Sequence, residues 1–174
     1  MAVVGKNHPA PITVDLNSPA VDVSAALDDR DITLVQETFA RAAMLGTSCV
    51  GRVVFMNIFK IAPEAKDLFP FVKTDPNPWG PGTRLEAHVI KVVETLATAI
   101  SLLRDLPTLV PVLQQLGLKH VGYGVLPVHY DIVGQAIIAS LATALGDKFT
   151  DPVKNAYLKV WTIVKDTMCG DNYK

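Results

Sequence analysis

Apolar positions along this chain recur at intervals of three and four rather than two, a pattern that predicts helices and no strand pairing. In LDDRDITLVQETFARAA, Ile32, Val35, Phe39 and Ala43 share one face, and Asp28 or Asp29 stands where a side chain can accept from the free N–H groups of a helix start. A helix over about 29–46 follows. Gly46 breaks the run and Thr47-Ser48 recap it before CVGRVVFMNIFKIAP, where Val50, Val54, Ile58 and Ile61 fall at helical spacing beside Phe55 and Phe59. That stretch is rich in β-branched residues, but it is too long for an ordinary strand. Pro63 ends it and opens a short helical turn reaching Phe69.

PFVKTDPNPWGPG then crowds prolines and glycines as no helix interior tolerates, and it is read as the longest internal loop. From Thr83 the helical period returns for about 21 residues, with Leu85, His88, Val92 and Leu96 on one face, until Asp105 and Pro107 end it. TLVPVLQQLGLKH is a shorter helical segment with Pro111 near its first turn, and Gly122, Gly124 and Pro127 make a corner after it. Two longer helices close the chain, over about 128–145 and 151–168, the second with Thr150 as cap and Pro152 in its first turn. Residues 1–27, with Pro9, Pro11 and Pro19 among small and β-branched residues, read as a flexible extension to a single all-α domain over 28–170.

Composition narrows the class. The 174 residues suit one domain, and an apolar fraction of 49% excludes disorder of the whole chain. Sixteen basic against 17 acidic residues give a net charge of −1, without the basic stripe a nucleic-acid binder needs. Cys49 and Cys169 form neither a CxxC pair nor a disulfide framework, so a reducing compartment is expected. MAVVGKNHPAPITV reads as neither secretory signal nor transmembrane segment, and Ala2 replaces the glycine of N-myristoylation. A cytoplasmic protein is the expectation.

The candidate chemistry lies in two of the four histidines. His88 shares a helix face with Leu85 and Val92 and so points inward, where an imidazole needs a partner. The chain reverses near Pro107. Rises of roughly 28 Å back to His88 and 20 Å forward to His120 would set both rings at similar depth if the two segments face each other. Two imidazoles with no nearby carboxylate or thiolate make a poor closed zinc site. They suit an iron held in a flat macrocycle, which needs only axial ligands in an apolar pocket. Two core histidines, each satisfied by a hydrogen bond in a cofactor-free interaction module, remain the other reading.

Over residues 29–168 the sequence resembles the globin family, through GRVVFMNIFKIAPEAKDLF, LEAHVIKVV and LKHVGYGVLPVHYDIVGQAI. The family's phenylalanine after the short third helix, distal histidine and proximal histidine are matched by Phe69, His88 and His120. Pro63 matches the proline opening the third helix, Val92 the distal aliphatic residue, and Leu116 the apolar residue one turn before the proximal histidine. Within the family the likeness is to neuroglobin-type chains, on Phe55 in the second helix and Lys91 between the histidine and the valine. Phe39 replaces a first-helix tryptophan, and Tyr130 stands where a pocket phenylalanine is common.

The resemblance implies a globin fold of six to eight helices around haem b, lined by Phe55, Phe69, Leu85, Val92, Leu116, Val125 and Tyr130. His120 and His88 are its implied iron ligands in a six-coordinate resting state. O₂, NO or CO would compete with His88, and Lys91 would stand near a haem propionate. Redox, gas-sensing or scavenging service is implied, with a five-coordinate oxygen transport or storage protein as the alternative. A nitric oxide dioxygenase or nitrite reductase activity is open on the same resemblance and would need an external reductase or other electron donor. In this reading Phe55 crowds the space a bound diatomic would use, His129 at a helix start is a solvated or capping residue, and Cys49 is an inert thiol.

Overall fold

Among residues 27–173, which this computed structural model describes, the chain forms helices and no strands. The predicted extension lies outside the described residues except for Leu27. The first helix, α1, runs Asp29–Ala43 and ends three residues earlier than the periodicity suggested, because the backbone already turns toward Gly46. Asp28 is its cap: the Asp31 N–H donates to the Asp28 carboxylate at 2.7 Å, and the Asp28 N–H donates back to Asp31. Helix α2 spans Thr47–Ile61, entered through Gly46 at φ 94°, a left-handed conformation that favours glycine. A 3₁₀ turn over Pro63–Leu68 follows.

The expected loop at 70–82 proves partly helical. Pro70–Thr74 forms a short α3, because Pro70 occupies the first turn, where a missing N–H costs nothing. Helix α4 then runs Arg84–Ser101, capped by the Thr83 hydroxyl, which accepts from the Glu86 N–H. Helix α5, Leu106–Gly122, begins before the sequence pattern placed it. Asp105 accepts from the Thr108 N–H and Pro107 sits harmlessly in the first turn, which leaves Pro111 inside the helix rather than near its start. Helices α6, Pro127–Leu145, and α7, Asp151–Cys169, close the fold, followed by a 3₁₀ turn over Gly170–Tyr173. Thr150 holds the cap position of α7, but its hydroxyl makes no capping hydrogen bond. His129 does cap, its Nδ1 accepting from the Leu126 N–H at 3.0 Å.

Helix α6 is the centre of the packing, lying against α2, α1 and α7. It is also long and apolar enough to cross a membrane by length and composition alone, as the core helix of a globular fold can be. One apolar core joins α1, α5, α6 and α7 around Val35, Leu109, Leu113, Ile138 and Ala156. A second joins α2 and α4 around Phe55, Ile58, Leu85 and Val89. Two glycines set how closely the helices approach. A Cβ on Gly51 would lie 2.7 Å from the Val89 carbonyl oxygen, and one on Gly117 only 2.0 Å from that of Met168. Across the first core, Lys159 pairs with Asp31 at 2.7 Å, which ties the start of α1 to α7.

Candidate functional site

The two histidine-bearing helices do not form a close pair: α4 packs on α2 and α5 packs on α7. The buried stripe of α4 is Leu85, Val89 and Val93, turned onto α2. His88 and Val92 stand at the edge of that stripe, half-buried, rather than at its centre as the shared face with Leu85 had suggested. His88 is held between two phenyl rings, with centroids 5.4 Å from Phe55 and 5.3 Å from Phe69. Burial against these rings pushes the His88 imidazole below its ordinary pKa, and the charges of His120 and Lys91 push it the same way. The neutral imidazole, the form able to ligate a metal, is therefore favoured.

His120 lies in the last turn of α5, and its Nδ1 is 2.8 Å from the Leu116 carbonyl oxygen. Only a protonated nitrogen can donate to a carbonyl, so in a neutral ring this contact selects the tautomer with the proton on Nδ1 and Nε2 as the acceptor. The His120 carbonyl accepts from the Val125 N–H at 3.0 Å, closing the corner between α5 and α6 on that residue. Tyr130, from the first turn of α6, stands 6.1 Å from the His120 ring. Its hydroxyl is 3.2 Å from that of Tyr173, and burial, with that partner, keeps it protonated far above the ordinary tyrosine range.

Phe55, Phe69 and His88 thus meet in one ring cluster, and His120 and Tyr130 in another. Lys91 is exposed, close enough for its charge to act on His88. Leu85 is buried under α2, while Val92, Leu116 and Val125 are half-buried. Three further aromatic rings extend the first cluster. Phe59 and Phe71 lie 5.8 and 6.0 Å from Phe69, and Trp79 lies 6.2 Å from Phe59 with the Arg52 guanidinium over its face. A tryptophan among prolines and glycines was the available signal, since so large an apolar surface rarely stays in solvent. Glu86 secures the same loop, accepting from the Gly82 N–H at 2.6 Å and the Ser48 hydroxyl at 3.1 Å, and both bonds hold its carboxyl below the usual range.

Among the described residues no group of three or more His, Cys, Asp or Glu side chains could hold a metal ion. Two imidazoles without a third ligating side chain beside them are too few for a bare ion and suit a metal already held on its other sides by a flat group.

The comparisons with known proteins identify the family. An anaerobic nitrite reductase from Brassica napus is 38% identical over 111 residues, 62% of this chain and 68% of the relative. Neuroglobin-2 of Oncorhynchus mykiss is 33% identical over 121 residues, 68% of this chain and 76% of the relative. A flavohemoprotein of Bacillus subtilis is 27% identical over 144 residues, 83% of this chain but 34% of the relative. With the globin family profile matching residues 52–168 of a chain whose described part forms helices and no strands, the protein belongs to the globin family, whose cofactor is haem and whose ligands are diatomic gases.

Proposed function

We propose that the chain binds haem b between α4 and α5, with His120 as proximal and His88 as distal iron ligand at rest, and that O₂, NO or CO displaces His88. Haem supplies an iron whose four in-plane positions are filled and whose two axial positions accept ligands. The observation that carries the reading is the 2.8 Å contact of His120 Nδ1 with the Leu116 carbonyl: in the neutral ring it selects the tautomer whose Nε2 can donate its lone pair to iron. His88, kept neutral among Phe55 and Phe69, is the matching donor opposite. Phe55 narrows the distal side, Leu85, Val92, Leu116, Val125 and Tyr130 line or support the pocket, and Lys91 pairs with a propionate.

Redox, gas-sensing or scavenging service fits this ligation, since an external ligand must wait for His88 to leave. Nitrite reduction, the activity in the name of the Brassica relative, would take electrons from a separate donor. Cys49 and Cys169 are free thiols, which fits the cytoplasm. The ferrous, ligand-free spectrum tests the reading. Two sharp low-spin visible bands that collapse in His88→Leu are expected, together with loss of tight haem retention in His120→Ala. One broad high-spin band in the unmodified protein would instead establish a five-coordinate oxygen transport or storage protein.

A further inference from the structure

From His120 a file of two tyrosines leads to the surface. Tyr130 is 4% exposed, with its ring 6.1 Å from that of His120. Tyr173, half-exposed on the C-terminal 3₁₀ turn, stands perpendicular to it at 6.2 Å, the two hydroxyl oxygens 3.2 Å apart. A phenylalanine would fill the buried place of Tyr130 equally well, so its hydroxyl calls for a reason. Resting on the haem-binding reading, we propose that Tyr130 and Tyr173 form a one-electron relay that carries oxidising equivalents from the His120 side of the haem to the surface. There a small phenol or enediol reductant restores Tyr173.

The hydrogen bond is what makes the relay chemically possible. A buried phenol that loses an electron must also lose its proton, because a bare cation in apolar surroundings is costly. Tyr130 passes its proton to the Tyr173 oxygen while Tyr173 releases its own to water. A hydrogen atom then returns from Tyr173 to Tyr130, so the phenoxyl radical ends on Tyr173. With hydrogen peroxide as oxidant the balance closes: the O–O bond breaks, one electron comes from ferrous haem and one from Tyr173. The phenolic proton and one from solvent complete two waters, leaving ferric haem. The reductant then gives Tyr173 one hydrogen atom and is itself oxidised by one electron.

The test uses ferrous, haem-loaded protein with one equivalent of hydrogen peroxide. It is read by freeze-quench electron paramagnetic resonance and by dityrosine fluorescence, each normalised to bound haem through the Soret band. A tyrosyl signal and intermolecular dityrosine are expected from the unmodified protein. Tyr173→Phe should keep the Soret band and lose the dityrosine, and Tyr130→Phe should lose the Tyr173 radical per haem. Tyr123, exposed and also 6.1 Å from His120, is the competing exit. Dityrosine that survives Tyr173→Phe but disappears in Tyr123→Phe overturns the relay. A normal Soret band without any tyrosyl signal also overturns it, and reduces the pair to a structural tether. Failure to take up haem overturns the haem reading and the relay together.

Discussion

Replacing Gly117 with alanine adds one methyl group where α5 crosses α7, one turn before His120. The new Cβ would stand 2.0 Å from the Met168 carbonyl oxygen and 2.8 Å from Asn172 Nδ2. The first distance is about 1.4 Å short of ordinary van der Waals contact, and an interior packed to crystal density has no slack of that size. Both clashing atoms are hard to move. The oxygen is backbone, and the Asn172 amide bridges the two helices by donating to the Gln114 carbonyl at 3.2 Å and the Met168 carbonyl at 2.8 Å. Alanine gains about 1 kcal/mol of helix propensity over glycine. Overpacking against an immobile partner costs about 3 kcal/mol or more.

The net loss is about 2 kcal/mol, which for a chain of this size lowers Tm by about 4–8 °C. Differential scanning calorimetry of the apoprotein measures it. Because α5 must swing off α7 to make room, the position of His120 moves too, and haem retention should fall with Tm. An unchanged or raised Tm would refute the argument that this crossing depends on the absence of a side chain.

Other perturbations probe different links. His88 is held below its ordinary pKa, so as pH falls through about 6.5 the unfolded chain takes up a proton that the folded apoprotein does not. Apoprotein stability should therefore drop below that pH, and it should drop less in His88→Leu; equal slopes in pH-dependent denaturation would contradict this. Phe39, where a larger tryptophan is common in the family, lines a partly open apolar cavity of about 30 Å³ with Tyr157 and Trp161. At about 24 cal/mol per Å³, filling it with Phe39→Trp should stabilise by about 0.7 kcal/mol, against which a lowered Tm would count. The Asp31 and Lys159 side chains are 13% and 16% exposed, between the surface and buried regimes. Asp31→Ala should then cost about 2 kcal/mol in urea denaturation, and a loss under 0.5 kcal/mol would place the pair with ordinary surface bridges. Tyr157, pushed up to about 12 by burial, keeps its proton where the unfolded chain loses it, so stability should fall between about pH 10 and 12 and less so in Tyr157→Phe.

Much of this was legible in the sequence because it is local. Asp28, Thr83 and the interval-of-four apolar positions act within one helix, through hydrogen bonds and side-chain neighbours a few residues apart. The helical period likewise marked His88 as turned inward, though it stands at the edge of the buried stripe of α4 rather than at its centre. Local rules misjudged places where a proline is tolerated at a helix start, as at Pro70 and Pro107, because tolerance depends on which N–H groups the neighbouring turn leaves unused. Only the tertiary structure decided the rest. Gly117 and Gly51 look like helix-weakening residues until the facing backbone is in view. Trp79 reads as loop until it meets Phe59, Asp31 and Lys159 are 128 residues apart, and Tyr173 has no periodic reason to meet Tyr130. Each of these contacts joins elements whose approach is set by how whole helix faces pack, and no pattern within either element carries that information.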